Sequence, residues 1–280
     1  MTGTIEELVL QYGGRGMNVL YPFLPKDSFR KAAENILSLK RGCFLIATGF
    51  YINGTAETDG PLGAWVLAHA LSKLGFVPVI LTDRYAAHFF AGEKFQTICM
   101  PLRNGQYDNR VLSAEALIGR LAPVGMLSIE RCGKNAEGDY ADMKGRSIGR
   151  YTAPVDEMFV YAKRYGIRTY GIGDGGNEIG MGRLSEAIKR YLELSPCIIE
   201  TDYLLLSSVS NWAAYALVRM LEMLAAKKLL PSPEAFGNYF YDIVRLGSID
   251  GITGENAMTV DGFPEGKEAE MYVKIMNYAQ

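Results

Sequence analysis

Carboxylates recur at three stations along the chain: Glu57 with Asp59, then Glu130, then Asp174 with Glu178. The last pair lies in Gly171-Ile172-Gly173-Asp174-Gly175-Gly176-Asn177-Glu178-Ile179-Gly180-Met181-Gly182, and no lysine or arginine falls between Tyr170 and Met181. A turn so rich in glycine and so acidic suits a cation better than a bare phosphate. Crowded carboxylates repel one another, and an opposite charge is needed to keep them ionised. A divalent cation supplies that charge. Neither histidine, His69 or His88, is near these stations in sequence. An all-oxygen donor set favours magnesium, manganese or calcium over zinc. Glu57, Asp59, Asp174 and Glu178 are therefore candidate metal ligands. Each also has a plainer reading, and Asp59 before Gly60-Pro61 can simply cap a helix.

Glu178 and Glu130 are the candidate catalytic carboxylates. If a helix begins near Gly175, Glu178 projects from its first turn toward the strand end that carries Asp174. There it serves as a general base, or as a metal ligand that positions the base. The helix dipole lowers its proton affinity, and neighbouring carboxylates raise it. Arg131, directly after Glu130, can pair a substrate carboxylate bidentately or neutralise Glu130. Ser207-Ser208-Val209-Ser210-Asn211-Trp212 reads as the end of a strand and the start of a helix. Ser210 or Asn211 is a helix cap there, or Asn211 and the helix start face an anionic ligand group.

Other chemistries are less well supplied. Gly171 to Gly176 fits G-x-G-x-x-G, but Asp174 would repel a pyrophosphate. Gly173-Asp174-Gly175-Gly176-Asn177-Glu178 resembles the magnesium loop of haloacid-dehalogenase-type phosphatases. Their upstream Asp-x-Asp is only half present, as Thr82-Asp83-Arg84. A metal-dependent phosphoesterase on the same acidic site stays open as the alternative, as does a non-enzymatic metal or small-ligand binder. No G-x-S-x-G occurs. Cys132 has no histidine close by and reads as a small packed thiol.

These stations need elements to hold them. Apolar runs at Cys43–Thr48, Phe76–Thr82, Thr97–Leu102, Val124–Glu130, Ile167–Tyr170 and Cys197–Leu206 read as strands. They alternate with helices over Ser28–Leu39, from Pro61 to Gly75, Ser113–Leu121, Pro154–Tyr165, onward from Leu184, Asn211–Lys227, Pro233–Val244, and from Lys267. The alternation predicts an α/β fold, a largely parallel sheet with helices on both faces, with room for two α/β lobes around an acidic cleft. In a parallel sheet, strand ends of one polarity share one edge, so the acidic stations can converge. Residues 1–27 read as an N-terminal lead-in and 28–280 as the α/β domain. The irregular stretch over 132–152 is long enough to be functional and is expected to close over a substrate.

The chain has 280 residues, 49% hydrophobic and 21% charged, with net charge −2. That balance gives no pull toward nucleic acid or an anionic membrane. No apolar run approaches the roughly 20 residues that span a bilayer. The first ten residues carry Glu6 and Glu7 and no basic residue, unlike a signal peptide. Four scattered cysteines without C-x-x-C suggest reduced thiols and a cytoplasmic setting. A homo-oligomer is compatible with all of this.

At Glu57-Thr58-Asp59-Gly60-Pro61, Glu130-Arg131, Gly138-x-Tyr140-x-x-Met143-x-Gly145, Gly171–Gly182, Ser210-Asn211-Trp212 and Val260-Asp261-Gly262 the chain resembles the D-glutamate cyclase family, in the domain that forms the C-terminal part of the longer animal enzyme. The resemblance implies cyclisation of D-glutamate to 5-oxo-D-proline with loss of water, or its reverse, on a small amino-acid substrate with a divalent metal, manganese or magnesium. Arg131, Tyr140, Gly175, Gly176, Asn177 and Asn211 are then the candidate substrate-binding residues. The glycine-rich turn would offer backbone N–H groups to a developing oxyanion.

Overall fold

Short aliphatic runs become strands of one sheet because alternate side chains find apolar cover on opposite faces. The computed structural model describes residues 3–13, 15–102, 113–192 and 194–279. Along the chain run α1 (Ile5–Leu10), α2 (Met17–Leu20), α3 (Ser28–Ser38), β1 (Cys43–Ala47), a small hairpin of β2 (Tyr51–Ile52) and β3 (Thr55–Ala56), and α4 (Pro61–Lys73). There follow β4 (Val77–Thr82), β5 (Gln96–Cys99), α5 (Ala114–Leu121), β6 (Gly125–Ile129), α6 (Asp156–Arg164), β7 (Arg168–Gly173) and α7 (Ser185–Tyr191). The chain ends with β8 (Tyr203–Leu206), α8 (Ser210–Ala225), α9 (Pro233–Arg245) and α10 (Lys267–Met276).

The sheet order is β5-β4-β1-β6-β7-β8, parallel throughout. The chain builds outward from β1 on one side and then returns to build outward on the other. The order therefore reverses between β1 and β6, and that is where doubly wound sheets open a crevice at the carboxyl ends of their strands. Phe44, Ile46, Leu127 and Ile129 pack on one face with residues of α3, α4 and α8. Leu45, Ala47 and Met126 pack on the other with Leu117 and Ile118 of α5 and Met158 and Phe159 of α6. The expected helices on both faces are present. Helix α8 is buried along most of its length and packs against α3, α4 and α10. No helix among the described residues is long and apolar enough to cross a membrane.

Two local expectations are corrected. The glycine-rich stretch does not open a helix near Gly175, because α7 begins only at Ser185. Gly176 and Gly180 have φ of 114° and 112°, which no right-handed helix admits. The stretch is instead clamped between two segments: Ile179 N donates to Arg131 O at 2.9 Å, and Gly180 N to Ile199 O at 2.9 Å. For the same reason the last strand is shorter than the run 197–206. Residues 197–200 lie along the glycine turn, and only Tyr203–Leu206 join the sheet.

The lead-in carries structure of its own. Thr4 and Glu7 form a capping box at α1. Ile5, Val9 and Leu10 are buried, and Val9 O accepts from Ser208 N at 2.9 Å. The first helix is thereby fixed to the loop between β8 and α8, and the residues after it reach the sheet's carboxyl edge.

Candidate acidic active site

Three of the carboxylates meet at the N-terminus of α8. The residue before α8 is Val209, which has no capping side chain. Asp59 does the work from a distant loop: its Oδ2 accepts from Ser210 N at 2.8 Å and its Oδ1 from Asn211 N at 2.7 Å. An anion is favoured there by the orphan amides and the helix dipole. Asn211 answers in the other direction. Its Oδ1 accepts from Gly60 N at 2.9 Å and Gly63 N at 2.8 Å, and its Nδ2 donates to Thr58 O at 3.2 Å. The starts of α4 and α8 are locked together, and the amide of Asn211 is committed to backbone rather than presented to a ligand.

Glu130 follows β6 directly and has φ of 43°. A non-glycine residue in this left-handed region costs on the order of 1–3 kcal/mol, so the surrounding contacts must hold it there. Ser210 Oγ donates to Glu130 Oε2 at 2.6 Å. Gly60 backs the arrangement: a Cβ there would stand 2.7 Å from Glu130 Cβ. Asp174 follows β7, and its Oδ2 accepts from Ser210 N at 3.0 Å. Ser210 thus touches all three acids. Carboxylate oxygens of Asp59, Glu130 and Asp174 lie within 4.8 Å of one another, all in buried residues.

Burial pushes each of these carboxyls well above its ordinary range. Asp59 is raised by burial, then by Asp261 and Glu268. Glu130 is raised by burial, then by Glu178, Asp59 and Glu57. Asp174 is raised by burial, while Arg15 pulls it back. Two residues that the sequence reading left out of the site belong here. Arg15 Nη1 stands 3.1 Å from Asp174 Oδ1, and Arg15 Nη2 pairs with Asp261 Oδ2. The only sequence signals were an arginine set among glycines, Gly13-Gly14-Arg15-Gly16, and the Val260-Asp261-Gly262 string.

A cavity of about 490 Å³ opens beside this cluster. Arg15, Glu57, Glu130 and Asp261 line it, with Tyr51, Tyr151, Met143 and Ile252 as apolar wall. Asp59 and Asp174 lie deeper, 1% and 0% exposed. Glu57 is buried and takes no hydrogen bond from the described residues. Its carboxyl is raised by burial and then by Asp261 and Asp59. The 132–152 stretch supplies Met143, Lys144, Arg146 and Ser147 to the wall.

The other expected site residues are placed as follows. Glu178 reaches the cavity, but its carboxylate is held by backbone. Oε1 accepts from Asp174 N at 2.9 Å and Gly175 N at 2.6 Å, and Oε2 accepts from Gly176 N at 2.6 Å. It lies outside the three-acid cluster, as does Glu57. The N–H groups of Gly175 and Gly176 are therefore spent on Glu178. Asn177 lines the cavity, with Nδ2 donating to Ala141 O at 2.8 Å. Arg131 is turned away: it pairs with Asp83 at 2.7 Å and donates to Gly49 O and Ala153 O. That pairing also occupies Asp83, the one aspartate of the half-present phosphatase motif. Tyr140 donates to Asp156 Oδ1 at 2.5 Å and is buried away from the cavity wall.

The three-acid cluster has the chemistry of a metal site. Its donors are all oxygens, they converge, and Asp174 Oδ1 is buried with no hydrogen bond from the described residues. Such a set suits a hard divalent cation.

Comparison with known proteins agrees with the geometry. The family described as D-glutamate cyclase-like, C-terminal, matches residues 5–276. D-glutamate cyclase, mitochondrial, from Homo sapiens is 30% identical over a 316-residue alignment that covers 95% of this chain. The chain spans about half of that relative's length, 49%. The family match runs from the first turn of α1 to the last of α10 and takes in every carboxylate of the site, and the chain belongs to the D-glutamate cyclase-like family.

Proposed function

We propose that the acidic cavity closes D-glutamate to 5-oxo-D-proline with loss of water, or runs the reverse hydrolysis. The observation that carries this reading is the buried group of Asp59, Glu130 and Asp174 at the edge of a cavity of about 490 Å³, in a chain of this family.

The reaction joins the substrate's α-nitrogen to its γ-carbon. Two protons leave the ammonium nitrogen, and two reach the γ-oxygen that departs as water. The site need only carry protons between two atoms of one substrate and hold the chain folded so that they meet. Glu57 is the pocket carboxyl free to do so, since no described residue hydrogen-bonds it. Its carboxylate takes the two protons from the nitrogen one after the other and returns each to the leaving oxygen. Glu178 is the positioning residue in this reading: it gathers the amides of residues 174–176 and thereby aims Asp174. Tyr51, Tyr151, Met143 and Ile252 exclude water from the folded substrate. Asp59, Glu130 and Asp174 would hold a divalent cation, manganese or magnesium, which when bound supplies Lewis-acid polarisation of the γ-carboxylate.

The test is a substrate panel. Pure protein is incubated with D-glutamate, L-glutamate and a set of phosphate esters, each with manganese and with EDTA. The reading expects 5-oxo-D-proline from D-glutamate only with manganese, and no phosphate release. Phosphate release without lactam would replace it with the phosphoesterase alternative.

A further inference from the structure

The acidic cavity has a cation of its own. Arg15 Nη1 is 3.1 Å from Asp174 Oδ1, and Nη2 pairs with Asp261. The Arg15 side chain is 22% exposed, whereas those of Asp174 and Asp261 are 0% and 4% exposed. Arg15 lines the cavity and Asp174 does not. Arg15 therefore stands between the cavity and one arm of the three-acid cluster. Its hold on Asp174 is a charge pairing, since Asp174 Oδ1 accepts no hydrogen bond from the described residues. A divalent ion that reaches Asp174 Oδ1 competes with the guanidinium for the same oxygen.

The other cations are placed differently. Arg131 is buried against Asp83, Gly49 and Ala153. Lys144 and Arg146 lie at the exposed rim, and Arg146 pairs with Asp142. Yet a substrate with two carboxylates must sit among Glu57, Glu130, Glu178 and Asp261, all of which line the cavity. Like charges so close repel strongly in a partly desolvated site, and a planar guanidinium is the side chain best matched to a carboxylate.

We infer that Arg15 is the carboxylate-binding residue of the pocket, held on Asp174 and Asp261 until a divalent cation takes Asp174 over and frees it toward the substrate. The inference rests on the cyclase reading above. It gives Arg15 two positions and couples them: the cation and Arg15 compete for Asp174, and the substrate is gripped only by the arginine that has lost. Arg15 sits on the connection between α1 and α2, beside Gly16 with φ of 81°.

The test uses calorimetric titration of the full chain, first with manganese alone and then with D-glutamate into the manganese-loaded protein. Arg15→Met removes the competitor and the anchor together. It is expected to bind manganese about tenfold more tightly than wild type and D-glutamate at least about tenfold more weakly. Should Arg15→Met fail to fold without metal, Arg15→Lys decides. It keeps the charge but loses the fork, so D-glutamate binding is expected to weaken about threefold or more. Manganese affinity unchanged or weaker in Arg15→Met, or D-glutamate affinity unchanged in both variants, overturns the inference. Wild type that binds neither manganese nor D-glutamate, beside variants that behave alike, overturns the cyclase reading and this inference with it.

Discussion

The hydroxyl of Ser210 donates to Glu130 at 2.6 Å, from a residue whose N–H also meets Asp59 at 2.8 Å and Asp174 at 3.0 Å. One residue at a helix start, through its hydroxyl and its backbone N–H, therefore touches the acids of three separate loops. Ser210→Ala keeps the N–H contacts and deletes the hydroxyl. A buried carboxylate that loses such a donor is expected to cost about 1–3 kcal/mol of stability. Urea unfolding measures the loss. Activity should fall with it, and Ser210→Thr should recover part of both.

Asn211 is expected to act through the backbone it holds. Asn211→Ala would orphan the N–H of Gly63 inside the protein and leave that of Gly60 with Asp59 Oδ1 alone. A loss of about 2–4 kcal/mol in urea unfolding is expected. A variant that stays fully stable but loses D-glutamate binding would instead make Asn211 a ligand contact.

Much of this arrangement was legible in the sequence, and the part that was not has clear causes. Aliphatic runs betray the strands, and the glycine string with its acids marks the edge where they end. The convergence of Asp59, Glu130 and Asp174 follows from parallel strands sharing an edge. What joins them does not follow, because Ser210 and Asp59 are 151 positions apart. Arg15 lies in a segment whose hydrophobic pattern is too short to announce a role. The task of Glu178 is decided by the positive-φ glycines Gly176 and Gly180, in a turn that folds its carboxylate back onto the amides of Asp174, Gly175 and Gly176. Spacing alone projects it from a helix that does not form.

Glu178→Gln tests that folded-back turn. The glutamine oxygen can replace one carboxylate oxygen, but its NH2 would face a backbone N–H that the other oxygen now satisfies. A destabilisation of about 1–3 kcal/mol is expected. Because Asp174 is aimed by the same turn, manganese affinity should fall as well, read by calorimetry. A variant with full stability and full metal affinity but no turnover would restore Glu178 as the base.

Asp174→Asn keeps an oxygen for Ser210 N and removes the charge. The variant is expected to fold, and to bind manganese at least about a hundredfold more weakly in calorimetric titration. Unchanged affinity in a folded variant would exclude Asp174 as a ligand.

Glu268, outside the three-acid cluster but near enough to raise Asp59, supplies a pH test. It is buried, and Trp212 Nε1 and Tyr215 OH each donate to it at 2.6 Å. Burial pushes its carboxyl up to about 7, the two donors only partly offsetting it. Between its ordinary value and about 7 the folded protein keeps a proton there that the unfolded chain has lost. Stability from this group is thus full in acid, declines as pH rises through that window, and is flat above it. The difference in unfolding free energy between wild type and Glu268→Gln should accordingly shrink by up to about 3 kcal/mol from pH 5 to pH 8. A pH-independent difference would show that Glu268 does not titrate there.

The proposed closure of D-glutamate in this pocket makes Glu57 the carrier of its protons. The most direct measurement follows 5-oxo-D-proline by chiral chromatography, using manganese-loaded wild type and Glu57→Gln at equal folded concentration. Lactam should form with wild type and slow by about 10²–10⁴ in Glu57→Gln, with D-glutamate affinity changed by no more than a few-fold. No lactam from wild type, or equal rates from both proteins, would rule out Glu57 as the proton carrier of a cyclase in this pocket.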